Sequence, residues 1–248
     1  MNASQQQPVL VATDLEVRYG KVIAATGISI EVFRGEIVAL LGPNGAGKTS
    51  VLKAIMGLVR PASGTVTFND GQREYRIDRK PAYELAHLGI AIVPAQQVVL
   101  PRMTVEENLE MGGRFLLNDN KTIRSRVDEM METFPLLRER RRQYAGLLSG
   151  GEQRQLAIAR ALVSKPKLML LDEPSIGLAP IPLATIFGML KRIKQEQHVD
   201  ILMVEQNVAK ALDVADRAYV MRVGAMDFFG NSAEVAASER LRDAYLGS

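Results

Sequence analysis

The chain has 248 residues, 47% hydrophobic and 24% charged, so it can fill a sizeable core and stay in water, which excludes disordered and fibrous proteins. It has no cysteine, which removes disulfide frameworks, cysteine-ligated zinc and thiol catalysis together. Lys and Arg number 31 against 28 Asp and Glu, a net charge of +3, too small to demand nucleic acid as a partner.

No secretory leader is expected, because such leaders start basic and the first basic residue is Arg18. Residues 14–19, 28–32 and 65–68 alternate apolar and polar side chains, the pattern of half-buried antiparallel strands. Residues 37–41, 90–93, 168–171 and 201–204 are short unbroken apolar runs, the pattern of strands covered on both faces. The stretch between 93 and 168 has helical character. It opens on a T-x-x-E capping box at Thr104 and Glu107 and carries the charged run Arg138-Glu139-Arg140-Arg141-Arg142. The longest uncharged run, 174–190, contains Pro180 and Pro182 and is too short to cross a membrane. After Gly224 a strand at 226–229 and one helix ending near Leu246 are expected.

These elements predict an α/β fold, a phosphate-loop nucleotide-binding cassette with a mainly parallel core sheet. One domain over 1–248 is expected, with about 8–101 and 164–230 forming the α/β core and an N-terminal antiparallel β subdomain. Residues of about 102–163 form an inserted helical subdomain and about 231–248 a helical tail.

The strongest local signal is Gly42-Pro43-Asn44-Gly45-Ala46-Gly47-Lys48-Thr49, between a buried strand and a helix predicted over 50–56. Glycines let backbone N–H groups turn inward around phosphate oxygens, and the helix N-terminus adds its positive end. Lys48 can reach the β- and γ-phosphates and the Thr49 hydroxyl can ligate Mg²⁺. The acid such a site needs beside the metal is supplied by Asp172, at the end of the apolar run 168–171. Glu173 then stands as the general base for an attacking water.

A second signature, Leu148-Ser149-Gly150-Gly151-Glu152-Gln153, precedes an apolar helix predicted over 156–163. Ser149 and Glu152 make a capping box, but capping does not explain two consecutive glycines, each costly in a helix. A Ser hydroxyl beside bare N–H groups suits a second anion site.

With these motifs in this order and spacing, the chain resembles the nucleotide-binding subunits of ATP-binding-cassette transporters over nearly its whole length. The resemblance implies an ATPase using ATP and Mg²⁺, with two subunits packed head to tail so that Ser149, Gly150 and Gly151 act on the nucleotide of the partner. It also implies that ATP lies against Tyr19, stacked on adenine, and against Gly42, Pro43, Asn44, Gly45, Ala46, Gly47, Lys48, Thr49 and Ser50. Thr49 and Asp172 hold the metal, and Glu173 and Lys48 act in catalysis. Two departures stand out. Where the family has a glutamine that reaches the metal's water, this chain has Ala95, so Gln96, or else Gln97, is expected to take that place. Where the family has a histidine after the strand at 201–204, this chain has Gln206, which can donate a hydrogen bond but carries no charge.

The sequences Val204-Glu205-Gln206-Asn207, Pro174-Ser175-Ile176-Gly177-Leu178-Ala179-Pro180 and Ala244-Tyr245-Leu246-Gly247 are similar to the shorter ATPase of branched-chain and other hydrophobic amino-acid importers, and of their urea-transport relatives. That similarity implies a second, non-identical ATPase subunit (or a homodimer in isolation), integral-membrane permeases, an extracytoplasmic solute-binding protein reached indirectly, and a peripheral place on the cytoplasmic face of the cell membrane. No nucleic-acid partner is expected. Two rival readings stay open: an ATP-gated clamp on nucleic acid with Arg138–Arg142 on the phosphates, and a subunit that binds ATP to gate a catalytic partner.

Overall fold

The computed structural model describes residues 7–96, 98–117 and 119–246. Gln97, and Gly247 of the ending motif, lie outside them. The alternating segments form an antiparallel sheet of β1 (Pro8–Tyr19), β2 (Val22–Phe33), β4 (Ser63–Asn69) and β5 (Glu74–Arg76), in the order β2-β1-β4-β5. The apolar runs form β3 (Ile37–Leu41), β6 (Ile90–Val93), β7 (Leu168–Asp172) and β8 (Asp200–Val204), all parallel. β9 (Arg217–Arg222) joins them in parallel and β10 (Ala225–Asn231) pairs with it antiparallel, giving the order β10-β9-β3-β8-β7-β6.

The pleat divides each buried strand between two cores. Ile37, Ala39, Leu41, Met169, Leu171, Ile201 and Met203 enter one core. Val38, Leu40, Leu168, Leu170, Leu202 and Val204 enter the other, against α1 (Lys48–Ile55) and the antiparallel sheet. Each of the Val, Leu, Ile and Met side chains contributes roughly 1.5–3 kcal/mol by leaving water, which is why these strands lack a polar face.

The first core is covered by α3 (Val105–Gly113), α4 (Asn120–Thr133), α5 (Pro135–Glu139), α6 (Gly150–Leu162), α7 (Pro180–Gln197) and α8 (Val208–Val214). Both capping boxes form: Thr104 with Glu107 at α3, and Ser149 with Glu152 at α6. Two helices start earlier than predicted. Helix α1 begins at Lys48, and α6 at Gly150, so the paired glycines form its first turn. The tail holds two helices rather than one, α9 (Ser232–Ala237) and α10 (Glu239–Leu246), separated at Ser238, whose backbone is extended. Residues 174–190 are a loop and the start of α7, and among the described residues no helix is long and apolar enough to cross a membrane. A short helix α2 (Ala82–Leu88), β5 and β9 were outside the sequence expectations: β5 is short and mostly exposed, and β9 has arginines at both ends.

The far end of β8 carries a buried acid. Asp200 accepts a 2.5 Å hydrogen bond from the Gly35 N–H, yet burial pushes its carboxyl up to about 6. Because this is above the ordinary 3.8, the fold favours the neutral form, and that stabilisation is lost as pH rises from about 4 through 6. Asp200→Asn keeps the acceptor and removes the charge. It is expected to raise stability by about 3 kcal/mol at pH 8 and by about half that at pH 5, measured by denaturant titration at both values. An unchanged difference between the two pH values would count against charge as the cause.

Candidate nucleotide site

The loop 42–47 runs from the end of β3 into α1. Gly42 has φ 150° and Gly47 φ 93°. A Cβ on Gly42 would stand 2.4 Å from the Met221 carbonyl oxygen, and one on Gly47 2.3 Å from that of Ala24. The loop is thus pressed between β2 and β9, where no side chain fits. Gly47 is also the N-cap of α1 and gives no side-chain cap, and the first turn holds no acid. The helix therefore presents bare N–H groups and its positive end to the cleft.

That cleft has a volume of about 450 Å³. It is lined by Asn44, Gly45, Gly47, Lys48, Thr49 and Ser50 of the loop and helix, by Glu173, by Val22, Ile23 and Ala24 of β2, and by Val223 and Gly224 between β9 and β10. Lys48 is buried and folds back on its own loop, donating to the carbonyls of Gly42 (2.8 Å) and Pro43 (3.0 Å). Burial pulls its ammonium below the usual range, against the charges of Glu173, Asp172 and Glu205.

Asp172 ends β7, one strand removed from β3, with β8 between them. The Thr49 hydroxyl donates to Asp172 Oδ1 at 3.3 Å. Burial, and then the neighbouring Glu173, raise the Asp172 carboxyl, so the pair is electrostatically short of a cation. Two hard oxygen donors side by side suit Mg²⁺, which takes few protein ligands and completes its shell with phosphate and water. Glu173 holds a left-handed backbone, φ 45°, fixed by its N–H donating to the Val204 carbonyl at 3.0 Å. Its Oε1 accepts 2.7 Å from Gln206 Nε2, so the glutamine in the histidine position stands on the candidate base.

Sequence reasoning gave no role to Glu205, although a charge directly after an apolar run is the signal. Its carboxylate is buried at the end of β8, between the loop strand and the Asp172 strand. It accepts from the Ser175 N–H (2.9 Å) and hydroxyl (2.7 Å) and from the N–H groups of Gln206 (3.1 Å) and Asn207 (3.4 Å), tying the loops after β7 and β8 together. Burial raises its carboxyl while these bonds lower it.

The remaining predicted residues lie elsewhere. Pro43 and Ala46 shape the loop without lining the cleft: the Pro43 carbonyl takes Lys48, and the buried Ala46 accepts from Gly224 N–H at 3.2 Å. Tyr19 is 46% exposed at the β1–β2 hairpin, next to the wall made by Val22 and Ile23 but outside the lining. Gln96 is exposed and is not among the residues that line the cleft. The two carbonyls just before it, Pro94 and Ala95, are taken at 2.9 Å each by Arg154 of α6. Ser149, Gly150 and Gly151 do not line this chain's cleft either. Gly151 faces the start of α7, where its Cβ would stand 2.6 Å from Pro182 Cβ, while one on Gly150 would meet only Leu178, in the loop before α7, at 3.9 Å. Gly151 thus has a packing reason and Gly150 has none. Of the arginine run, Arg141 pairs with Glu106 (2.5 Å) and Asp128 (3.7 Å), and Arg140 with Glu152 (3.9 Å).

A glycine loop joining a buried parallel strand to a bare helix end, with a lysine as the first helical residue and acids at the next strand ends, defines a phosphate-loop nucleotide-hydrolase domain. Residues 25–176 match the ABC transporter family, and the chain belongs to that family, as its ATPase. It is 45% identical over 229 residues (92% of this chain, 95% of the relative) to the high-affinity branched-chain amino acid transport ATP-binding protein BraG of Pseudomonas aeruginosa. It is 34% identical over 244 residues (96% and 97%) to the lipopolysaccharide export system ATP-binding protein LptB of Haemophilus influenzae. The crystal structure of the ADP conformation of an ATP-binding cassette of an ABC transporter matches with TM-score 0.85 at 26% identity, covering 98% of this chain and all of the other.

Proposed function

We propose that the chain is one ATPase subunit of a membrane importer for branched-chain or other hydrophobic amino acids, and that it supplies half of each hydrolytic site. The observation that carries the half-site reading is that Ser149, Gly150 and Gly151 lie outside the cleft that holds Lys48 and Glu173. The solute class rests on the 45% identity to the amino-acid importer subunit, against 34% to the exporter subunit.

In this reading the Lys48 ammonium exchanges the carbonyls of Gly42 and Pro43 for β- and γ-phosphate oxygens. The bare N–H groups of 45 and 47–50 take the remaining phosphate oxygens, and Val22, Ile23 and Tyr19 form the adenine side. Thr49 and Asp172 would hold Mg²⁺, which neutralises phosphate charge when bound. Glu173 accepts the proton of the attacking water as it adds to the γ-phosphorus and ADP leaves. Gln206 holds Oε1, which leaves Oε2 for the water. A second ATPase subunit, non-identical in the complex, brings its own signature helix to the γ-phosphate across the interface. Moving that dimer from 1:99 to 99:1 closed takes about 5.5 kcal/mol of differential binding, and triphosphate charge between two helix ends supplies it. The helices of about 102–163 pass the motion to permeases, and the subunit sits peripherally on the cytoplasmic membrane face, with an extracytoplasmic binding protein delivering the solute.

The test is purification of the complex with its permeases from membranes, followed by ATPase assay with binding protein loaded with leucine, with urea, or empty. Stimulation by the leucine-loaded protein supports the reading. Stimulation by urea alone reassigns the solute, and purification without any permease chain removes the transport role.

A further inference from the structure

Gly42 is the first residue beyond β3, where the strand ladder ends at Leu41. Its N–H donates to the phenolic oxygen of Tyr245 at 2.5 Å, and its carbonyl accepts Lys48 Nζ at 2.8 Å. One residue of the nucleotide loop is thus gripped on one side by the C-terminal helix and on the other by the lysine that the nucleotide must draw away. Tyr245 is carried by α10, whose Leu241 and Ala244 are buried in the same core as Ile37, Ala39 and Leu41 of β3. The grip therefore runs from a packed helix to a packed strand. Burial, with the Glu205 charge nearby, pushes the Tyr245 phenol up to about 12, so it stays neutral at physiological pH.

We propose that Tyr245 is a positioning residue for ATP binding: α10 holds Gly42 in place while Lys48 leaves the Gly42 carbonyl for a phosphate oxygen. The inference rests on reading Lys48 as a phosphate ligand. Without nucleotide, Gly42 has two side-chain restraints; once Lys48 has turned, Tyr245 is the one that remains. Its hold then matters more in the bound state than in the free one. By the reciprocity of coupled equilibria, nucleotide must tighten the docking of α10 to the same degree.

The test is ATP affinity, read with a fluorescent ATP analogue, combined with hydrogen exchange of α10 with and without ADP. In the wild-type chain ADP is expected to slow exchange in α10. Tyr245→Phe keeps the ring and removes the acceptor, leaving a buried N–H unpaired. It is expected to weaken ATP binding roughly tenfold and to abolish the ADP-dependent protection of α10. Leu241→Ala loosens the helix through packing alone, and is expected to lower Tm while keeping that protection. Equal ATP affinity in wild type and Tyr245→Phe overturns the proposal, as does α10 exchange that ignores ADP. Parallel losses of Tm and affinity in both variants reduce Tyr245 to packing and overturn it too. A wild-type chain that binds no ATP at all overturns instead the reading of Lys48 and its loop.

Discussion

Glu173→Gln is expected to leave ATP bound and to cut turnover by about 10²-fold or more, because the amide cannot take the proton of the attacking water. The geometry makes the substitution clean. Glu173 reaches Gln206 through Oε1 alone, its backbone is held independently by the Val204 carbonyl, and the side chain is only partly buried. A glutamine can keep the contact to Gln206 through its own carbonyl oxygen, so the fold is spared while the chemistry is removed. Phosphate release and equilibrium ATP binding, measured on the same preparation, separate the two effects; unimpaired release removes Glu173 as the base. The same substitution placed in this subunit alone, in a complex with a wild-type second ATPase, distinguishes motor from regulator. Full retention of turnover there identifies this chain as a gate for its partner.

Gly47→Ala is expected to cost about 3–5 kcal/mol of stability, a fall in Tm of roughly 8–15 °C, and to abolish ATP binding. Two separate costs meet at this position. An alanine must adopt φ 93°, and its Cβ must occupy space 2.3 Å from the Ala24 carbonyl oxygen, a backbone atom of β2 that cannot swing aside. Gly45 supplies the control, with φ 81° and nothing within 4 Å of its Cβ position. Gly45→Ala therefore carries the conformational cost alone, about 1–2 kcal/mol. Thermal denaturation of the two variants side by side measures the steric part by difference. A Gly47→Ala protein no less stable than Gly45→Ala would show that β2 yields to the loop.

Much of the architecture was legible because period and burial are tied. A run such as Leu168-Met169-Leu170-Leu171 is apolar on both faces only when both faces are covered, and this strand does feed two cores. The loop 42–49 was legible because positive-φ glycines, a lysine and a hydroxyl have few other reasons to share that spacing. Three things were not. Glu205 was overlooked because a carboxylate after a strand reads as a solvated strand end, whereas here four donors from two loops converge on it. Tyr245 was read as part of the ending motif, but its contact with Gly42 was not legible because the two lie 203 positions apart, a separation over which local pattern carries no information. The hold of Arg154 on the carbonyls of Pro94 and Ala95, just before Gln96, comes from another element, and its reach is encoded by no spacing rule.

Arg154 and its neighbour on the same helix have a mechanical consequence. Six positions apart on α6, Arg154 grips the carbonyls of Pro94 and Ala95, and Arg160 grips that of Val98 at 2.8 Å and the side chain of Asn108 at 3.4 Å. Asn108 in turn binds the backbone of Leu100, Met103 and Thr104. Between β6 and α3, the described residues Pro94, Ala95 and Val98, and Asn108 of α3, are therefore tied to the helix that begins at Gly150. A displacement of α6 is therefore expected to carry these residues with it, and Arg154→Ala, which removes two of the ties, is expected to raise hydrogen exchange just after β6 while leaving that of α6 unchanged.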